Sequence, residues 1–162
     1  RNTGGGNLTT AEKLAERFTN EKKLIGYMSY KTGPGHNEFS TPEAVYLEPP
    51  MDRVRWQKHT VVLTNRRSYS ATNDFVNRMK QLDRVTVIGD KTGGGSGLPF
   101  SSELPNGWSV RFSASPMYDP DMKHLEFGIE PDKKVDITSE DYNKGIDTII
   151  EAAREYLHNH KQ

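Results

Sequence analysis

The segment of this chain best suited to chemistry is Ser68-Tyr69-Ser70-Ala71-Thr72. It follows a short apolar run, His59-Thr60-Val61-Val62-Leu63-Thr64-Asn65, and precedes a stretch with helical spacing, so Ser70 is expected at a strand-to-helix turn. A hydroxyl at such a turn stands at the end of the sheet, and the first amides of the helix point toward it as unpaired donors. Attack on a carbonyl needs both features, because the oxyanion that forms must be received by N–H groups. Serine and threonine before a helix are also the commonest N-caps, and spacing alone leaves both readings open.

Two glycine-rich loops, Gly4-Gly5-Gly6 and Gly93-Gly94-Gly95, resemble phosphate cradles at first sight. Neither ends in Gly-Lys followed by Ser or Thr, and neither has dinucleotide spacing. They are left as turns that need positive φ or as a source of oxyanion amides. Of the five histidines, His158 and His160 sit two apart at a helix end and cannot share a face. No His-Glu-x-x-His or comparable ligand spacing occurs, so no metal and no cofactor is expected.

The elements that must position Ser70 follow from periodicity. Thr9-Thr10-Ala11-Glu12 has capping-box spacing, and Leu14, Ala15 and Phe18 continue an apolar stripe, which predicts a helix from about Thr10 to Thr19. Leu24 to Tyr30 predicts a strand ended by Gly33-Pro34-Gly35, and from there to Thr60 the chain, with Pro42, Pro49 and Pro50, reads as a long surface excursion. The run at 60–64, a helix from Ala71 to Leu82 and a strand at Val85-Thr86-Val87-Ile88-Gly89 form the strand-helix-strand unit of parallel sheets. Asn106-Gly107 within 100–112 predicts a hairpin, and Ile146, Ile150, Ala153 and Leu157 predict one amphipathic helix from about Ser139 to His158.

With 162 residues the chain is one domain or a large piece of one, and 33% hydrophobic against 27% charged residues is lean but sufficient for a single core. Lys+Arg and Asp+Glu both number 22, so neither the basic excess nor the basic stripe of a nucleic-acid binder is present, and no nucleic-acid partner is expected. No apolar run is long enough to span a bilayer. There is no cysteine, hence no thiolate nucleophile and no disulfide. The opening Arg1-Asn2-Thr3-Gly4-Gly5-Gly6 lacks an initiator Met, and the chain is read as the carboxyl-terminal part of something longer.

These segments together resemble the tail-specific (C-terminal processing) and tricorn-core serine peptidase family. The first six residues look like the tail of its Asp-Leu-Arg-x-Asn-x-Gly-Gly motif, with Thr3 where the family has Asn. Val61 to Ala71 resembles the nucleophile strand and turn, Ile88-Gly89-Asp90-Lys91-Thr92-Gly93-Gly94 the Gly-Glu-x-Thr-x-Gly loop, and Glu126-Phe127-Gly128-Ile129-Glu130-Pro131-Asp132 the Glu-x-x-Gly-Ile-x-Pro-Asp segment. The resemblance implies an α/β fold, a crotonase-like superhelix of strand-strand-helix units with a β-hairpin and a C-terminal amphipathic helix. Residues 1–162 would then form the carboxyl-terminal part of a serine peptidase catalytic domain.

By the same resemblance Ser70 takes the nucleophile position, with Ala71 N–H and an amide from Gly5 or Gly6 as oxyanion donors. The tail-specific branch pairs its serine with a lysine whose place falls here on Gly95, and Lys91 stands earlier in that loop. The tricorn branch uses a histidine upstream of the Arg-Gly motif, oriented by a glutamate that matches Glu126; the histidine would precede Arg1. Implied too are a peptide or protein substrate added along a sheet edge and a place in the cell envelope, periplasmic or secreted; oligomeric state is not readable. The rival expectations are a non-catalytic ligand- or peptide-binding module on the same fold and an inactive peptidase homologue serving as scaffold.

Overall fold

The computed structural model describes residues 1–51 and 55–160. The strand-helix-strand expectation holds: β3 (Thr60–Thr64) and β4 (Val85–Gly89) pair in parallel and α2 (Ala71–Lys80) connects them. A two-residue strand, β8 (Lys133–Lys134), extends this sheet in parallel on the other side of β4. Asp132, from the expected Pro-Asp segment, clamps it there: its backbone N–H donates to Val87 O at 2.9 Å and its carboxylate accepts from Val87 N–H at 2.8 Å.

A second sheet has the order β2-β1-β7, built from β1 (Lys23–Met28), β2 (Glu43–Leu47) and β7 (Met117–Tyr118) in antiparallel pairing. β2 corrects the expectation of an unstructured excursion from Gly35 to Thr60. Its residues Glu43 to Leu47 offer no clean alternation to read, since only Leu47 is fully buried; pairing with β1 makes the strand. The rest of that excursion includes 52–54, which lie outside the described residues.

Two core clusters join the layers, one around Val76, Val87, Met117 and Leu125 and the other around Ala15, Ile25, Leu47 and Met79. Helix α2 lies between them and is buried nearly all round. Val76 and Met79 enter the core, and Asn73, Asp74, Asn77 and Arg78 are also buried. Most buried polar groups are hydrogen-bonded. Asn77 Nδ2 donates to Ile25 O at 2.7 Å, at the point where the β1–β2 register shifts between Leu24 and Gly26. Arg78 Nε donates to Asp74 Oδ2 at 2.6 Å.

The first helix, α1, spans Leu8–Ala15 and continues as a 3-10 turn over Glu16–Phe18, not as a helix from Thr10 to Thr19. Asn7 caps it by accepting from Thr10 N–H at 3.0 Å, so the Thr9-x-x-Glu12 box lies inside the helix and does not start it. The last helix is two: α3 (Ser139–Asn143) and α4 (Thr148–Asn159). Asp147 restarts the chain as N-cap of α4, and the packed face carries Ile149 and Ala153 while Ile146 and Ile150 are exposed. The apolar spacing runs across a break: Ala153 lies on the packed face as expected, while Ile149 takes the place expected of Ile150. The expected hairpin is β5 (Phe100–Glu103) with β6 (Ser109–Phe112), in antiparallel register about Asn106-Gly107.

Candidate active site

Ser70 closes the turn between β3 and α2 with φ +59° and ψ −127°, a backbone state rarely adopted by L side chains. Such a conformation costs about 1–3 kcal/mol and persists only where the surroundings impose it. Here Ser70 N–H donates to Gly94 O at 2.8 Å, Tyr69 N–H donates to Thr3 O at 3.2 Å, and Gly93 N–H donates to Ser68 O at 2.9 Å. The two glycine loops thus grip the turn from both sides. Ser70 occupies the N-cap position, yet its side chain makes no capping hydrogen bond, so the capping reading fails and the hydroxyl is left for other work. Ala71 N–H, at the start of α2, has no partner among the described residues.

Gly5 lies directly against this turn. With φ +101°, a β-carbon there would come within 2.7 Å of Ser70 Cβ and 2.9 Å of Ala71 N, so only glycine allows the approach. Of the expected oxyanion donors, Gly5 is thus packed against Ser70 and Ala71, and Gly6 lines the same two cavities as Ser70.

A cleft of about 430 Å³ opens over Ser70, lined by Gly4, Gly6, Tyr69, Gly95, Arg111 and Glu126 among others. Glu126 sits on a 3-10 turn, Leu125–Phe127, after N-cap His124, whose Nδ1 accepts from Glu126 N–H at 3.1 Å. Its backbone O accepts from Gly95 N–H at 3.1 Å. Its Oε2 is buried with no hydrogen-bond partner among the described residues. Glu130, four residues on, is exposed and pairs with Lys91 Nζ at 2.9 Å.

That pair takes Lys91 out of the Ser70 cleft. The lysine position of the tail-specific pattern is closed as well, because a β-carbon on Gly95 (φ +79°) would fall 2.2 Å from Tyr69 Cζ. The Tyr69 ring fills the space a side chain at 95 would need. No histidine or lysine lines the cleft among the described residues.

Sequence reasoning missed Asn73, which is fully buried one turn after Ser70. Its Nδ2 donates to Ser96 Oγ at 2.7 Å and Leu125 O at 3.0 Å, and its Oδ1 accepts from Thr92 Oγ1 at 2.5 Å. Thr92 Oγ1 in turn accepts from Ile129 N–H at 2.7 Å. This network ties the Ser70 helix to the loop at 92–97 and to the segment carrying Glu126. Asn73 lies between Thr72 and Asp74 in the chain, so no contrast in polarity marks it. Asp74 is buried beside it, and burial pushes its carboxyl above the ordinary 3.8 while the Arg78 guanidinium pulls the other way.

The chain is similar to known peptidases. The model of peptidase family S41 matches residues 1–135. A candidate peptidase from Parabacteroides merdae, known as a crystal structure, is 61% identical with a TM-score of 0.92 over 97% of this chain and 50% of its own. Mature CPAF, at 16% identity and TM-score 0.80, covers 98% of this chain and 43% of its own and shares the fold. A CtpA-like serine protease of Staphylococcus saprophyticus is 26% identical over 137 residues, 84% of this chain and 26% of that protein. The chain thus spans about half of the Parabacteroides chain and about a quarter of the staphylococcal protein.

Proposed function

Since the chain belongs to peptidase family S41, we propose that it is the carboxyl-terminal part, over residues 1–162, of a catalytic domain that hydrolyses peptide bonds with Ser70 as nucleophile. The observation that carries this reading is the Ser70 hydroxyl itself: it stands at an N-cap without capping and opens on a cleft shared with the unpartnered Glu126 oxygen. Serine is a weak nucleophile and needs a base within hydrogen-bond reach. Glu126 is suited to orient an imidazole supplied by a part of the protein that precedes Arg1, and to favour the imidazolium that forms.

The reaction then runs in two halves. Ser70 Oγ attacks the peptide carbonyl carbon while its proton passes to the imidazole. The oxyanion is received by Ala71 N–H and by an amide of Gly5 or Gly6. Collapse breaks the C–N bond and returns the proton to the leaving amine, and water, deprotonated by the same imidazole, hydrolyses the acyl ester. The substrate is an extended peptide or protein segment. We assign the crotonase-like superhelix as the finer fold, and the cell envelope as the place of action. Among the described residues no helix is long and apolar enough to cross a membrane.

A second reading, a peptide-binding module without catalysis, is favoured by the lack, among the described residues, of a basic side chain in the cleft able to deprotonate Ser70. Peptide hydrolysis by the full-length protein, absent in Ser70→Ala, supports the enzyme. Peptide binding with no hydrolysis by the full-length protein supports the module. Residues 1–162 alone are expected to hydrolyse peptides only weakly over water.

A further inference from the structure

Arg111 lies on β6, opposite Ser101 on β5. It lines both cavities that reach Ser70, the 430 Å³ cleft and a smaller one of about 140 Å³ walled by Leu8, Leu98 and Met117. Among the described residues lining the two it is the only cation. Arg1, Arg66, Arg78 and Arg154 each have a carboxylate partner, whereas Arg111 has none among the described residues. A guanidinium keeps its charge at any physiological pH and presents a planar fork that fits a carboxylate with two parallel hydrogen bonds.

The carboxylates near the cavities do not compete for it. Glu126 belongs to the larger cleft alone and lies beyond ion-pair reach of Arg111, and Asp74, in the smaller cavity, is engaged by Arg78. The hairpin wall of the cavities therefore carries an unpaired positive charge, and the other charged side chains lining them, Glu126 and Asp74, are carboxylates. We infer that Arg111 is an anion subsite that holds a carboxylate carried by the peptide close to the bond Ser70 attacks. This rests on the peptidase reading above. The carboxylate is either the terminal α-carboxylate of the peptide or an aspartate or glutamate side chain.

The test uses full-length protein and matched peptides: free acid against C-terminal amide, and glutamate against glutamine beside the cleaved bond. One swap is expected to lower kcat/KM roughly ten- to hundredfold, as loss of a charge-assisted pair does. The loss should vanish in Arg111→Gln and persist in part in Arg111→Lys. Sensitivity to the amide swap identifies the terminal carboxylate, and sensitivity to the glutamine swap identifies a side chain. Two silent swaps, or a preference that survives Arg111→Gln, overturn the inference. Affinity of the same peptides for Ser70→Ala protein, read by fluorescence anisotropy, separates the two claims. A charge preference that depends on Arg111 in a protein that never hydrolyses peptide keeps the subsite and discards the enzyme.

Discussion

Each α-helix of this molecule begins with a polar side chain at the N-cap, and the caps of α4 and α2 behave in opposite ways. Asp147, before α4, has φ −95° and accepts from Ile149 N–H at 3.1 Å and Ile150 N–H at 3.2 Å. It also pairs with Arg1. Ser70, before α2, has φ +59° and caps nothing. The α2 terminus is held instead by backbone bonds to the two glycine loops and by Asp74 in the first turn, whose carboxylate suits the positive end of the helix. A side chain at an N-cap that does not cap is thus the mark of a position kept for another task, and the surroundings supply the order that the cap would have given.

If that difference is functional, the largest effect should come from the carboxylate that lines the same cleft as the free hydroxyl. Glu126→Gln in the full-length protein should lower kcat by roughly 10²–10⁴-fold with little change in thermal stability, since the amide keeps the shape and loses the charge. Glu130→Gln and Lys91→Ala should leave kcat within about twofold, because an exposed pair of this kind is worth roughly 0–1 kcal/mol. A silent Glu126→Gln together with a crippled Glu130→Gln would move the site by one helical turn of sequence.

Next in size is Asn73→Ala. Removing its amide orphans Ser96, Thr92 and the Leu125 carbonyl, and unfolding free energy should fall by roughly 2–4 kcal/mol in urea titration. Because the network joins Ser70 to the Glu126 segment, kcat should drop more than KM rises. Lost stability with kcat unchanged would make Asn73 part of the core only.

The two caps themselves give a smaller contrast. Asp147→Ala should cost about 1–2 kcal/mol and leave kcat alone, whereas Ser70→Ala should leave stability within about 0.5 kcal/mol, since no capping bond is lost. Equal losses in the two variants would erase the distinction between them.

The smallest effect is in pH. With its folded pKa raised by burial above the ordinary 3.8, Asp74 binds more proton in the folded than in the unfolded chain within that window. Its contribution is therefore most favourable below 3.8 and is lost as pH rises through the folded pKa. The stability of the protein relative to Asp74→Asn should fall across that window and then level off. A rise would show that the Arg78 pairing outweighs burial.

Much of this was legible in the chain, and the misses share a cause. Ser70 was readable because strand, turn and helix are neighbours in sequence, and the Asn106-Gly107 hairpin for the same reason. Glu126 was reachable only through a family resemblance, since 126 and 70 meet through the loop at 92–97. Arg111 and Asn73 could not be read, because what defines them is a cavity wall and a three-dimensional hydrogen-bond network. The α3–α4 break was hidden because Ile146 and Ile150 keep helical spacing across the Asp147 cap. Nor could any spacing say that the Tyr69 ring occupies the room beside Gly95.

The most direct measurement is reaction of the full-length protein with a fluorophosphonate followed by mass-spectrometric mapping of the adduct. A single adduct on Ser70 is predicted, since of the serines lining the cleft, Ser70 and Ser113, it alone stands at the start of α2 against Gly5, while Ser68 and Ser96 are buried. Adducts on Ser68 or Ser96 with Ser70 untouched would contradict it.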